Sequence, residues 1–126
     1  MDRRIRRVRS VLDEQYRDPP SVHELAAMVG LSSSRLAHLF REEVSMSIRS
    51  YVVARRLYMA ALLIKQTDER ISQIAYGVGF NDVSNFNHAF KKAFSCSPMA
   101  IRQPKKDRLH KAVKSPENPN RTARIP

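Results

Sequence analysis

The sequence predicts an all-α chain of about seven helices, arranged as two helix-turn-helix subdomains with homeodomain-like lobes joined by a long linker helix. Three observations carry this reading. The 126 residues hold only three Gly and no Trp, and 42% of them are hydrophobic, which suits a globular core. Apolar residues recur at three- and four-residue intervals, the period of an amphipathic helix. No alternating β-branched run of strand length stands between turn signals.

Taken in order, Ile5, Val8, Leu12 and Tyr16 recur at helical spacing among Arg and Glu, predicting a first amphipathic helix over Arg3 to Tyr16 that Pro19 and Pro20 end. Ser21 stands three residues before Glu24, the arrangement in which each side chain caps the other's backbone N–H. It starts a second helix from His23 to Val29, which Gly30 stops. A third follows from Ser33 to Glu43. Ser47 caps a longer helix, Ile48 to Gln66, rich enough in Val, Ala, Leu and Met to pack on both sides. After a break at Thr67 and Asp68 come a short helix near Arg70 to Gly77, a turn at Gly79, and a helix from Val83 to Phe94. Ser97 and Pro98 begin a last short turn. The expected organisation is a helix with a basic arm over 1–20, a first helix-turn-helix over 21–46, a linker helix over 47–66, a second helix-turn-helix with its closing helix over 67–102, and a disordered basic tail over 103–126.

Two of these segments can be written over one another. SVHELAAMVGLSSSRLAHLF (Ser21 to Phe40) aligns with ISQIAYGVGFNDVSNFNHAF (Ile71 to Phe90), the second turn being one residue longer. Leu25, Ala26, Val29, Gly30 and Leu31 match Ile74, Ala75, Val78, Gly79 and Phe80; Leu36 and Phe40 match Phe86 and Phe90. Ala26 and Ala75 fall where two helices cross steeply and only a small side chain allows close approach, and Gly30 and Gly79 fall where the chain needs a positive φ. Phe94 joins Phe40, Phe86 and Phe90 as expected core.

The second helix of each pair then exposes a face that fits a major groove. In the first unit it carries Ser33, Ser34, Arg35, Ala37, His38 and Arg41; in the second, Val83, Ser84, Asn87, His88, Lys91 and Lys92. Arg41, Lys91 and Lys92, at the helix ends, suit phosphate contact, whereas Glu42 and Glu43 are unfavourable beside DNA. The helix between the pairs is 19 residues long by this reading, hence ~28 Å at 1.5 Å per residue. That length is close to the ~34 Å repeat separating successive major-groove faces of double-stranded DNA. A monomer is therefore able to do what a simple repressor does as a dimer.

Charge points the same way. The formal net charge is +11. Residues 1–9 carry five Arg against Asp2, and residues 103–126 carry seven Lys or Arg against Asp107 and Glu117, so most of the excess sits at the ends. There it strengthens phosphate contact without adding sequence information. An anionic membrane surface is the second candidate partner for such a chain. However, no apolar run is long enough to span a bilayer and no hydrophobic stretch of signal-peptide type follows the first arginines, so no membrane partner is expected.

The quoted residues resemble the DNA-binding domain of the AraC/XylS family of bacterial transcription regulators, over roughly Val22 to Arg102. The most specific stretch is DERISQIAYGVGFNDVSNFNHAFKKAFSCSPMAIR (Asp68 to Arg102), with its I-A, V-G-F, F-K-K and S-P; RRLYMAALLI (Arg55 to Ile64) follows the family's linker spacing. The resemblance implies an all-helical, two-lobed domain whose recognition helices meet consecutive major grooves. It also implies a bacterial regulator that more often activates than represses, with RNA polymerase as a further partner and a dimer where the domain belongs to a longer chain. Ser45 and Ser95 stand where the family usually has Gly after the recognition helix, and Ile48 where Pro is usual. His38 and His88 occupy positions where Arg is frequent, and an imidazole lacks the two-pronged fit of Arg to guanine. Ala37 suits a thymine methyl or no base at all.

Other chemistry finds little footing. Cys96 is the only cysteine, which excludes an intrachain disulfide and fits a reducing, cytoplasmic, nucleoid-associated setting. The four His show no metal-ligand spacing, and no phosphate-binding Gly-rich loop or nucleophile motif is present, so neither an enzyme nor a cofactor is expected. The alternative reading is a helical module that binds a protein partner, its basic ends serving as unspecific anchors.

Overall fold

The computed structural model describes residues 1–102, and the expected basic tail over 103–126 lies outside them. All regular structure in the described residues is helical: α1 (Arg3–Glu14), α2 (Val22–Met28), α3 (Ser33–Val44), α4 (Ile48–Gln66), α5 (Ile71–Gly77), α6 (Val83–Phe94) and α7 (Pro98–Ile101). The chain divides into two compact units, Met1–Arg56 and the residues from Leu57 onward, the division falling inside α4.

In the first unit, α1 starts where the Asp2 carboxylate accepts the Arg4 backbone N–H, and it buries Ile5, Val8 and Leu12. It ends two residues earlier than its apolar pattern predicts, at Glu14, ahead of Pro19 and Pro20. Just beyond that end, the Arg56 guanidinium of α4 donates to the carbonyl oxygens of Tyr16 (2.8 Å) and Arg17 (3.4 Å). Tyr16 stays buried all the same. The predicted reciprocal cap opens α2: the Ser21 N–H donates to Glu24 Oε1 at 2.8 Å, and the Glu24 N–H donates to Ser21 Oγ at 3.0 Å. Leu25, Ala26, Leu36, Leu39 and Phe40 join the buried side chains of α1, and Ile48 and Val52 of α4 complete that core. Phe40 is fully buried and meets Tyr51 edge-on at 5.7 Å. Truncating such a ring to Ala costs about 3–5 kcal/mol.

The second unit repeats this plan with different side chains. Leu57, Ala60 and Ile64 on the later part of α4 keep the spacing of Ile5, Val8 and Leu12 on α1 and are likewise buried. Ala61, Ile74, Ala75, Val78, Phe86, Phe90 and Pro98 are buried with them. Phe80, Phe86, Phe90 and Phe94 form a run of ring contacts 4.6–5.6 Å apart, where the first unit has Leu31, Leu36, Phe40 and Val44. Phe94 is only half-buried, being the last residue of α6. The closing helix α7 opens on Ser97, whose Oγ accepts the Ala100 N–H at 3.3 Å, with Pro98 in the first turn where no N–H is needed. Arg102 then donates Nε to the Ile64 carbonyl at 3.1 Å and Nη1 to the Glu69 carbonyl, sealing the end of α4.

Candidate nucleic-acid interface

Each unit seats its second helix by the same set of main-chain bonds. After α2 the Leu31 N–H donates to the Ala26 carbonyl at 3.0 Å and the Gly30 N–H to that of Ala27 at 3.3 Å; after α5 the Phe80 N–H donates to Ala75 and the Gly79 N–H to Tyr76, both at 3.0 Å. This pairing of 6→1 and 5→2 bonds needs a left-handed residue at the turn. Gly30 (φ 72°) and Gly79 (φ 115°) supply it. The alanines whose carbonyls accept these bonds, Ala26 and Ala75, are themselves buried, so α3 and α6 pack close at those points.

The helices that follow are capped alike. Ser32 Oγ accepts the Arg35 N–H at 3.1 Å, and Asp82 Oδ1 accepts the Asn85 N–H at 2.9 Å. The second turn is one residue longer, as the alignment predicts, placing the start of α6 four residues after Gly79 where α3 starts three after Gly30. Both helices run 12 residues. Both end in a left-handed serine, Ser45 at φ 67° and Ser95 at φ 63°, whose N–H returns to the carbonyl of Arg41 or Lys91.

With Leu36 and Phe40 turned inward on α3, and Phe86 and Phe90 on α6, helical geometry sends His38 and His88 to the middle of the opposite side. The side chains of Ser34, Arg35, Ala37, His38 and Arg41 are exposed, as are those of Ser84, Asn87, His88, Lys91 and Lys92. Ser33 and Val83, first in their helices, are half-buried. Each predicted set therefore gathers on one side of one helix. Asn85, outside the predicted set, is also exposed and holds the place in α6 that Arg35 holds in α3.

The acidic pair after Arg41 splits. Glu43 turns back and accepts the Asp2 N–H at 2.8 Å, whereas Glu42 stays on the outward side with its Oε2 at 3.2 Å from His38 Nε2. Beneath α3, Tyr51 donates its hydroxyl to Asp13 Oδ1 at 2.7 Å, and burial raises its pKa, so it remains a neutral donor. Much of the basic first segment is engaged within the chain: Arg4 on Asp2 at 3.0 Å, Arg6 on the Met1 carbonyl at 3.3 Å, and Arg9 5.8 Å from the centre of the Tyr51 ring. Arg3 and Arg7 are exposed. Among the described residues no group of three or more His, Cys, Asp and Glu could hold a metal ion, and no helix is long and apolar enough to cross a membrane.

This geometry agrees with known sequences. A family described as a helix-turn-helix domain matches residues 25–104. The chain belongs to the AraC/XylS family. The AraC-type domain is 34% identical over 103 residues to the arabinose operon regulatory protein of Escherichia coli, covering 81% of this chain and 35% of that one. It is 30% identical over 102 residues to the HTH-type transcriptional activator RhaS of an Enterobacter species, covering 81% and 37%. Among solved structures, a transcriptional regulator with an AraC-type DNA-binding domain from Chromobacterium violaceum matches at a TM-score of 0.72 and 26% identity, covering 77% of this chain and 87% of that one. The chain thus spans about a third of the length of these curated relatives.

Proposed function

We propose that the domain is a sequence-specific DNA-binding transcription regulator, an activator rather than a repressor, whose α3 and α6 enter two adjacent major-groove segments. The observation that carries the reading is the twofold occurrence of one device. In each unit a glycine turn and a buried alanine seat a capped helix of 12 residues with polar and basic side chains gathered on its outward side. The naming of relatives as regulators of an operon and as an activator supports the choice of role.

In this reading Ser33, Ser34, Arg35, Ala37 and His38 on α3, and Val83, Ser84, Asn87 and His88 on α6, face base edges, while Arg41, Lys91 and Lys92 meet phosphates. The residues over 103–126 add unspecific attraction. RNA polymerase is the further partner of an activator, the domain binds as a monomer unless a longer chain dimerises it, and the setting is the bacterial cytoplasm at the nucleoid.

Selection of bound sites from a randomised duplex library tests the proposal. The expected motif is bipartite, with halves about one helical turn apart. Asn87→Ala should relax the preference in one half, whereas deleting residues 104–126 should weaken binding to all sequences alike. Enrichment of no sequence, or binding that retains no preferred site as salt rises, would overturn it in favour of a protein-interaction module.

A further inference from the structure

The outward sides of α3 and α6 share a serine (Ser34, Ser84), a histidine and a basic residue at matching positions and reverse sign at one place. His38 corresponds to His88 and Arg41 to Lys91, but Glu42 stands where α6 has Lys92. Of the two acidic residues on α3, Glu43 is withdrawn by the Asp2 N–H, so Glu42 alone sets a carboxylate on the outward side. That carboxylate lies one turn along from His38, with Oε2 3.2 Å from Nε2 and side-chain exposures of 63% and 67%.

A carboxylate offers acceptors only and is repelled by phosphate, so within a DNA groove its favourable partner is a hydrogen-bond donor. Donors on the major-groove floor are the exocyclic amino groups of cytosine and adenine; guanine and thymine present acceptors there. We propose that Glu42 is a specificity-determining residue of the first reading helix, accepting a hydrogen bond from a base amino group, cytosine N4 foremost, while it holds the His38 imidazole beside it. The inference rests on α3 being a DNA-reading helix. The His38 Nε2–H occupies one carboxylate oxygen, and Oε1 serves the base. Bases that turn an acceptor toward Glu42 leave a desolvated anion without a donor and are rejected. Lys92 carries no such bias: its ammonium serves a phosphate, which makes the second unit the more permissive anchor at this position.

The test uses the full 126-residue chain. A site is selected from a randomised duplex library, and affinities are then measured for that site and for every single-base variant of it. The wild-type chain should lose roughly fivefold to a hundredfold when the amino-bearing base at one position of one half is replaced. Glu42→Ala should abolish the discrimination at that position and leave the others as they are, with the thermal midpoint unchanged. His38→Ala should reduce it in part. Glu42→Lys should raise affinity for random duplex and steepen the salt dependence by about one phosphate equivalent. The inference is overturned if the wild-type chain selects a site but Glu42→Ala keeps every preference, or loosens all positions equally. A wild-type chain that selects no site removes the reading of α3 itself, a different outcome.

Discussion

The backbone N–H of Asp2 donates to the Glu43 carboxylate at 2.8 Å, joining the residue before α1 to the last turn of α3. The same aspartate caps α1 through its side chain, so one residue fixes the start of one helix to the end of another. Glu43→Ala should therefore leave a half-buried amide without its partner and destabilise the first unit by about 1 kcal/mol. Urea denaturation gives the magnitude, and faster amide exchange in the first turn of α1 gives the location. An unchanged midpoint would mean that the bond contributes nothing.

Acid should act at the same corner. The Arg4 side chain first, and then the Arg4 backbone N–H, hold the Asp2 carboxyl at about 2 against an ordinary 3.8. Since the folded value lies below the unfolded one, this contribution is complete above the ordinary value and is lost as pH falls from 3.8 toward about 2. Glu24 is shifted in the same direction, chiefly by the Ser21 backbone N–H. Asp2→Asn should flatten the acid limb of the stability curve, and a limb as steep as that of the parent chain would contradict the assignment.

Ser45 and Ser95 each hold a left-handed backbone, at φ 67° and 63°, the region that favours Gly. A side chain in that region costs about 1 kcal/mol, partly offset by the greater unfolded freedom of Gly. Ser45→Gly and Ser95→Gly are each expected to stabilise the protein by about 0.5 kcal/mol, and to add in the double variant because they lie in separate units. Chemical denaturation of the three variants checks both statements. The converse exchange, Gly30→Ala, meets no atom within 4 Å of the added Cβ, so its expected loss of about 1 kcal/mol is backbone strain alone.

Arg56 and Arg102 close the two units in parallel ways, each giving its guanidinium to carbonyls at or just beyond the end of a helix. Arg102→Met keeps much of the aliphatic stem but leaves the Ile64 and Glu69 carbonyls without these donors, an expected loss of about 1–3 kcal/mol. Arg56→Met should act likewise on Tyr16 and Arg17. Residue-resolved hydrogen exchange should show faster opening around α5 to α7 for Arg102→Met and around α1 to α3 for Arg56→Met. Identical exchange maps would refute the pairing.

The turns of both units were legible because their determinants are local. Gly30 and Gly79 announce a positive φ, Ala26 and Ala75 a close crossing, and Ser21 with Glu24 a cap. The bounds of α4 follow from Ser47 and a sustained apolar period. What escaped depends on contacts far along the chain. The apolar pattern runs through Tyr16, past the end of α1, and the donor that meets the Tyr16 carbonyl there, Arg56, lies 40 residues on. The likeness of Ile5, Val8 and Leu12 to Leu57, Ala60 and Ile64 is one of spacing without identity, so alignment passes over it. Glu42 and Glu43 are adjacent in sequence, but Glu43, three residues after Phe40 and seven after Leu36, falls toward the buried side of α3, where the Asp2 amide meets it. By contrast, the recurrence of Ser45 and Ser47 as Ser95 and Ser97, at a fixed offset, was open to view and extends the repeat beyond the two turns.

The turns that seat α3 and α6 are held by amide and carbonyl groups, a small inward residue and a glycine, and none of these lies on the outward side. Mutation of the outward residues is thus cheap in folding terms. Under the proposed function, a lineage of such chains can exchange one set of DNA letters for another while its denaturation curve stands still, without first acquiring a stabilising substitution.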